Sequence, residues 1–291
     1  MCCKPDIKQQ ERNFMNAYDE SLKLWPVSYT EHFIETSFGL TNVIECGNPE
    51  LPPLVLLHGA SMSSTMWYPN VENYSSEYRV FAVDIMGDKN KSVPAKEFTN
   101  RRGHAKWLEE VLDKLNIQKA NFVALSYGGL NLINFLVHAP NRANRVVVMS
   151  PAETFVHFTP EFYTYAFGMI QNKEGVEKFL NWIFEDRYTV KEQIANQLIA
   201  GMMWLDTKRG GKPKKTGFPY VFTDQELSSI KTPLLLLLGE YEVMYDPIQV
   251  MERSKIMPNI TSKIVEGAGH LMSLEAPEIT ANLALEFLKE R

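Results

Sequence analysis

The sequence of 291 residues contains few cysteines, only Cys2, Cys3 and Cys46. Three is an odd number and too few for the disulfide framework typical of secreted proteins, so we expect a reducing, cytoplasmic environment. No apolar run approaches the roughly 18 residues that a membrane-spanning helix needs. The polar stretch KPDIKQQERN stands near the start, where a signal peptide would be apolar. We therefore predict neither a signal peptide nor a membrane span, and we interpret Cys2 and Cys3 as part of a mobile N-terminus.

A strong excess of charge of one sign is also missing. The formal net charge is −5, which argues against nucleic acid or an anionic membrane as the main partner. The sequence has no CxxC pair, no HExxH motif, no clustered carboxylates and no phosphate-binding glycine loop before a helix. We therefore expect a reaction that uses no metal and no cofactor.

What the sequence does have is a series of apolar runs. Two alternating stretches come first, EHFIETSFG (31–39) and LTNVIECG (40–47), and predict paired strands that turn at Gly39. The later runs are PPLVLLHG (52–59), RVFAVDIMG (79–87), NFVALS (121–126), RVVVMSP (145–151), TPLLLLLGE (232–240) and TSKIVEGAGH (261–270). Because these later runs are mostly apolar without alternation, they predict strands that are buried on both faces of a largely parallel sheet.

Helical patterns lie between these runs. They cover GHAKWLEEVLDKLN (103–116), LNLINFLVHA (130–139) and APEITANLALEFLKE (276–290). Strands that alternate with helices predict an α/β fold. The chain length suits one such domain with an insertion as well as it suits two domains.

The sequence predicts three regions. Residues 1–27 form a polar, partly helical N-terminal extension, and residues 28–151 with 226–291 form the α/β core. Residues 152–225, which we call the cap segment, have no strand-like run but a helical pattern rich in aromatic residues and methionine. Most of these side chains suit plain core packing. A helical cap over the sheet would also need an apolar underside, so some of them are candidates to line a pocket.

Ser126 ends one of the apolar runs, in ALSYGG, and an apolar helix follows at once. A serine hydroxyl needs a base to remove its proton before it can act as a nucleophile. The turn that exposes such a serine favours small residues two positions before and two after it. Gly128 fits this requirement, whereas Ala124 replaces the first glycine of the G-x-S-x-G motif. We interpret Ser126 as a candidate nucleophile.

The base should be a histidine, and the sequence has six. Five of them fall in predicted strands, helices, the cap segment or a strand-end turn: His32, His58, His104, His138 and His157. His270 lies in GAGH directly after a predicted strand, where glycines let the loop bend over a neighbouring strand end. We predict that His270 is the general base.

The third residue should be a carboxylate that orients the imidazole and stabilises its charged form. Glu240, Glu242 and Asp246 follow the run PLLLLLG, and Glu153 follows RVVVMSP. Asp246 precedes Pro247 and a helical run, which is typical of a helix N-cap. We select Glu242, with Asp246 and Glu153 left open as alternatives.

Acyl transfer also needs donors for the negative charge that develops on the carbonyl oxygen. Ala60 follows the strand-end turn LHG, which can present its backbone N–H inward. Tyr127, the residue after Ser126, offers a second N–H from the start of its helix. We predict that these two groups form an oxyanion hole and that His58 shapes the turn.

These motifs together resemble the α/β-hydrolase superfamily over about residues 30–291, with the cap segment in the place of that fold's lid. The matching pieces are LLHGA, DIMG (84–87), ALSYGG, LLLLLGEYE and EGAGH. Within the superfamily the sequence is similar to bacterial carboxylesterases of the NP type, which hydrolyse esters of bulky arylpropionic acids. Two departures are Ala124 and Glu242, since most relatives carry aspartate at the latter position. Branches with an aspartate nucleophile are excluded by Ser126.

The resemblance and the residues imply a carboxylic-ester hydrolase that works through an acyl-enzyme, with a small-molecule ester as its partner. The aromatic and methionine-rich cap segment favours a substrate with a bulky apolar or aromatic group. Two alternatives stay open because one fold hosts many chemistries. One is a thioesterase, perhydrolase or lyase that uses the same triad, and the other is a ligand-binding or signalling protein with little turnover.

Overall fold

A computed structural model describes residues 6–169, 172–205 and 218–289, so Cys2 and Cys3 lie outside the described residues. Its strands are β1 (Tyr29–Thr36), β2 (Gly39–Cys46), β3 (Pro53–Leu57), β4 (Arg79–Val83), β5 (Val93–Pro94), β6 (Ala120–Leu125), β7 (Ala143–Met149), β8 (Leu234–Tyr241) and β9 (Ile260–Gly269). They form one sheet in the order β1-β2-β4-β3-β6-β7-β8-β9, and the short β5 pairs with β2.

The sheet is antiparallel at one side and parallel over the rest. Strand β2 pairs antiparallel with β1, β4 and β5, whereas each pair from β4 across to β9 is parallel. The carboxyl ends of these parallel strands therefore meet at one edge of the sheet, where ligands bind in open α/β sheets. The turn between β1 and β2 lies at Ser37 and Phe38, and Gly39 already belongs to β2.

The parallel strands form the core. Leu234 to Leu238 in β8 and all six residues of β6 are buried. Removing each such leucine side chain from water contributes about 1.5–3 kcal/mol. The predicted burial on both faces is therefore confirmed for β6 and β8, because side chains that point to opposite faces are equally covered. It was wrong for β9, which is the last strand of the sheet and has exposed residues such as Thr261 and Lys263.

The helices are α1 (Ile7–Leu22), α2 (Val71–Ser75), α3 (Arg101–Lys114), α4 (Tyr127–His138), α5 (Pro160–Met169), α6 (Lys173–Phe184), α7 (Glu192–Met203), α8 (Asp224–Ser229), α9 (Pro247–Ser254), α10 (Met272–Glu275) and α11 (Pro277–Lys289). Helix α4 packs on α3 and contacts β3, β6 and β7, whereas α11 packs on α2 and contacts β7. The predicted α/β-hydrolase fold, a mostly parallel sheet flanked by helices, is confirmed.

The predicted cap segment contains α5, α6 and α7, and its described residues include no strand. The predicted boundary at residue 225 falls inside α8. A reciprocal capping box between Thr223 and Glu226 places the N-cap of this helix at Thr223. The predicted N-terminal extension contains α1, which packs against α7 of the cap segment. The rings of Phe14 and Trp204 stack there with their centroids 5.3 Å apart.

Candidate active site

Ser126 lies on the sharp turn between β6 and α4. Its backbone has φ 53° and ψ −114°, a left-handed conformation that is unfavourable for a residue with a Cβ. The turn is tight, because a Cβ added to Gly128 would lie only 2.2 Å from the carbonyl oxygen of Leu57. Position 128 therefore requires glycine, whereas Ala124 is fully buried in β6 and its methyl group fits.

The three predicted triad residues form one hydrogen-bonded chain. The Ser126 Oγ lies 2.9 Å from Nε2 of His270. The Nδ1 of His270 lies 3.0 and 2.8 Å from the two carboxylate oxygens of Glu242. If the serine hydroxyl donates to Nε2, then Nδ1 carries the proton and donates to Glu242. The side chains of His270 and Glu242 are 1% and 0% exposed, so this chain is shielded from water.

Glu242 follows β8 directly and is held by its own loop. The backbone N–H of Met244 donates to its Oε1 at 2.9 Å. Tyr245 is buried nearby, and its burial together with the Glu242 charge raises the pKa of its phenol well above the usual range. The phenol therefore stays neutral beside the carboxylate.

The two alternative carboxylates have other partners. Asp246 is the N-cap of α9 and accepts a hydrogen bond from the Ile248 backbone N–H at 2.9 Å, as its interpretation as a cap predicts. Glu153 accepts a 2.5 Å hydrogen bond from the Tyr163 hydroxyl. Desolvation, together with this bond and the Glu153 charge, raises the pKa of Tyr163 to about 12. Neither carboxylate is hydrogen-bonded to His270.

The two predicted oxyanion donors come from the loop after β3 and from the start of α4. Neither the Ala60 nor the Tyr127 backbone N–H donates a hydrogen bond to any residue that the structure describes. The β3 loop approaches Ser126, because a Cβ added to Gly59 would lie 3.7 Å from Cβ of Ser126. Two free N–H groups next to Ser126 can accommodate a developing oxyanion.

The loop after β3 is held by side chains that the sequence analysis assigned no role or only a shaping role. Asp88 accepts a hydrogen bond from the Ser61 backbone N–H at 2.7 Å. His58 is fully buried, accepts from the Ile85 N–H at 2.9 Å and bonds the Gly59 carbonyl oxygen at 2.8 Å. The shaping role predicted for His58 is consistent with these contacts. Asp88 was missed because an aspartate in a polar loop has no distinctive sequence pattern.

A second buried carboxylate lies beside the histidine loop. Glu275 accepts from the Gly269 backbone N–H at 3.0 Å and from Nε of Arg187, in the cap segment, at 3.1 Å. Burial raises the pKa of Glu275, while Gly269 and Arg187 oppose this change. Glu275 lies between the predicted strand 261–270 and the predicted helix 276–290, so its contact with the residue before His270 was not foreseen.

Ser126 and His270 open into a cavity of about 410 Å³. The cap segment supplies much of its apolar lining, including Phe162 of α5, Leu180 of α6 and Leu198 of α7. Part of the aromatic content of the cap segment thus faces the cavity, whereas other rings such as Phe155 and Phe184 belong to the buried core.

Neither a metal cluster nor a membrane helix occurs in the described residues. Residues 6–169, 172–205 and 218–289 contain no group of three or more His, Cys, Asp or Glu side chains that could hold a metal ion. Over the same ranges, every helix is too short or too polar to span a bilayer.

Comparison with known proteins identifies the family. The model of the alpha/beta hydrolase fold matches residues 52–199. The uncharacterized carboxylesterase nap of Bacillus subtilis (strain 168) is 46% identical over 97% of this chain and 94% of its own length. The chain belongs to the α/β-hydrolase family.

Two further relatives within this family are also named esterases. Carboxylesterase YbfK of Bacillus subtilis (strain 168) is 45% identical over 94% of this chain and 93% of its own. The crystal structure of naproxen esterase (carboxylesterase NP) from Bacillus subtilis has a TM-score of 0.94 and 46% identity, and covers 98% of this chain and 100% of that one. The resemblance to bacterial carboxylesterases is therefore confirmed, and these relatives support the predicted enzyme class, a serine-type esterase.

Proposed function

We propose that this α/β-hydrolase is a carboxylesterase that cleaves its substrate in two steps through an acyl-enzyme on Ser126. The observation that carries the proposal is the hydrogen-bonded chain from Ser126 through His270 to the buried Glu242, with the serine at the floor of an apolar cavity. A nucleophile, a base and a residue that orients the base are the parts that covalent acyl transfer needs.

In the first step, Oγ of Ser126 attacks the ester carbonyl carbon while Nε2 of His270 takes the hydroxyl proton. The resulting imidazolium is stabilised by Glu242 through the Nδ1 hydrogen bond. Collapse of the tetrahedral intermediate breaks the bond to the alkoxy oxygen, and Nε2 returns the proton to the departing alcohol. In the second step Nε2 of His270 takes a proton from the water that attacks the acyl carbon. Collapse of this second tetrahedral intermediate breaks the bond to Oγ of Ser126, which takes the proton back from Nε2 as the acid leaves.

The backbone N–H groups of Ala60 and Tyr127 bind the carbonyl oxygen as it becomes negative. They are free of other acceptors in the described part of the chain. The Tyr127 N–H also lies at the N-terminus of α4, where the helix dipole favours negative charge. Loss of one such donor typically costs about 10² to 10³ in rate, so the conformation of the β3 loop also matters for catalysis.

The cavity supports a preference for small-molecule esters that carry a bulky apolar or aromatic group. Its lining includes the rings of Phe158, Phe162, Phe179 and Phe218, which offer apolar area and aromatic stacking to such a group. One relative is named naproxen esterase, which is in keeping with an aromatic acyl group.

We assign residues 152–225 the role of a lid over the core formed by residues 28–151 and 226–291. In this proposal α5 to α7 enclose the apolar side of the cavity, and the extension of residues 1–27 supports α7 through α1. The cytoplasmic location and the lack of a nucleic-acid or membrane partner stay predictions from composition.

The test combines a covalent probe with turnover. The protein is exposed to an organophosphonate ester, its intact mass is measured, and hydrolysis of a p-nitrophenyl ester is followed in parallel. We expect one adduct on Ser126 with activity lost in step, and a loss of about 10⁶ in turnover for Ser126→Ala. A loss below about tenfold for this variant would remove Ser126 from the mechanism.

The same assay separates the alternatives. Faster turnover of a thioester or of a peracid-forming reaction than of the matched oxygen ester would favour a thioesterase or a perhydrolase. One equivalent of product followed by no further turnover would favour a binding or signalling protein.

A further inference from the structure

The loop that carries Ala60 has an unfavourable backbone conformation. Two of its residues other than glycine, Ser61 and Ser63, have positive φ values of 61° and 57°. Residues with a Cβ keep such values only where surrounding contacts impose them. The position of the Ala60 N–H therefore depends on what holds the loop, since an oxyanion donor is effective only when it is fixed in advance.

The core holds this loop at two points. Asp88 accepts from the Ser61 backbone N–H at 2.7 Å, and Asp84 accepts from the Ser64 N–H at 2.8 Å. Between these points, the Met62 carbonyl and the Ser63 side chain face the cap segment instead. Both accept hydrogen bonds from Gln197 of α7, and within the loop both also contact the Thr65 hydroxyl.

Gln197 is hydrogen-bonded to three residues of the loop. Its Nε2 donates to Oγ of Ser63 at 2.5 Å and to the carbonyl oxygen of Met62 at 3.3 Å. Its Oε1 accepts from the Thr65 hydroxyl at 2.9 Å. The amide group thus uses both its donor and its acceptor atoms on the loop.

The surroundings of Gln197 would suit an apolar residue if packing were its only role. It is 2% exposed and lies on the buried stripe of α7 with Ile194, Leu198 and Gly201. Burying a primary amide is unfavourable unless it is hydrogen-bonded. A glutamine at this position therefore indicates that the bonds to the loop have a function.

Helix α7 is in turn held in place by contacts with α1. The Ser21 hydroxyl of α1 donates to the Gln193 carbonyl oxygen at 2.9 Å, and the Phe14 ring stacks on Trp204 just after α7. The contacts of α1 with α7 therefore give Gln197 a fixed support.

We propose that Gln197 is a positioning residue for the oxyanion hole. It holds the strained loop from the cap side, so that the Ala60 N–H is aligned with the oxygen of the tetrahedral intermediate. This assignment rests on the proposed esterase function. In this assignment the cap segment lines the cavity and also helps to stabilise the transition state. Helix α1 contributes indirectly, because it supports α7.

The test compares Gln197→Met with Asn196→Leu. Methionine keeps the length of the side chain and removes its strong hydrogen bonds, whereas Asn196 loses an amide from the exposed side of the same helix. For Gln197→Met we expect kcat to fall about 10- to 100-fold, within the cost of a lost oxyanion donor, with KM changed by less than about twofold. The affinity for a trifluoromethyl ketone, whose serine adduct has its oxyanion in the hole, should weaken in parallel. Asn196→Leu should match the wild type in each measurement.

A double-mutant cycle and hydrogen exchange separate this role from a merely structural one. Thr65→Val removes one of the same bonds from the loop side, so its effect on kcat and that of Gln197→Met should be strongly non-additive. Amide exchange of residues 59–66 should accelerate in both variants. The proposal is overturned if Gln197→Met lowers kcat no more than Asn196→Leu, or if exchange of this loop is unchanged.

Failure of the proposed function would look different. A wild-type protein that hydrolyses no ester would overturn the esterase assignment and with it the catalytic role of Gln197. Loop exchange in Gln197→Met would then decide separately whether Gln197 holds the loop.

Discussion

His104 should make the protein sensitive to acid. It lies in α3, is 6% exposed, and its ring stacks on Phe98 with a centroid distance of 3.8 Å. On its other side, the ring of Phe218 has its centroid 4.6 Å away. Burial lowers the pKa of His104 to about 3, and the Asn131 side chain offsets this only in part. The folded protein therefore keeps this histidine neutral at pH values where an unfolded chain binds a proton.

The size of the effect follows from the two pKa values. In the unfolded chain a histidine has a pKa of about 6.5. Between pH 6.5 and the folded pKa of about 3, the unfolded state binds a proton that the folded state does not. The free energy of unfolding must therefore fall as the pH falls, by about 1.4 kcal/mol per pH unit. From pH 7 to pH 5 the contribution of His104 is a loss of about 2 kcal/mol.

The assay is urea unfolding at pH 7 and pH 5, followed by tryptophan fluorescence. His104→Phe keeps an aromatic ring against Phe98 and cannot be protonated, so its loss between the two pH values should be about 2 kcal/mol smaller than that of the wild type. His157→Gln, which replaces a side chain that is 79% exposed, serves as the control and should keep the wild-type loss. An equal loss in His104→Phe and the wild type would refute the reasoning, because His104 would then be protonated in the folded protein.

Three further substitutions test the site. Glu242→Gln should lower kcat by about 10⁴, because the amide no longer holds His270 with its proton on Nδ1. In steady-state kinetics, a loss below about tenfold would contradict the role assigned to Glu242. Gly128→Ala should lower both the melting temperature and kcat, since its Cβ would lie 2.2 Å from the Leu57 carbonyl oxygen and must displace the end of β3; unchanged thermal unfolding would refute this. Phe162→Ala should lower kcat/KM about 10- to 100-fold for an aromatic acyl ester and much less for an acetate ester, because about 1.5–3 kcal/mol of apolar burial is lost. An equal loss for both esters would show that Phe162 does not contact the acyl group.

Much of the fold could be predicted because local composition determines it. The runs that became β6 and β8 are apolar throughout, and residues of this kind are stable only where both faces of a strand are covered. The predicted boundaries of these strands agree with the structure to within two residues. The boundary that we drew for the cap segment at residue 225 falls inside α8, because the capping box of Thr223 and Glu226 starts a helix across it.

The candidate site could be predicted in part for a related reason. Ser126 and His270 each stand directly after a strand, and the ends of parallel strands meet at one edge whatever the details of packing. The choice of Glu242 over Asp246 and Glu153 was a selection among three residues that the same argument places near that edge.

The sequence by itself therefore determined the α/β fold, the turn at Ser126 and the histidine that faces it, since strand burial and glycine requirements are local properties. Only the tertiary structure decided which carboxylate bonds His270 and which side chains hold the loop of Ala60. Those contacts join segments that are far apart in the chain, as the hydrogen bond between Gln197 and Ser63 does. Whether such a bond forms depends on differences of a few tenths of an ångström between the two atoms. A hydrogen bond of that kind depends on how elements pack together, which a polar residue in a helical pattern does not reveal.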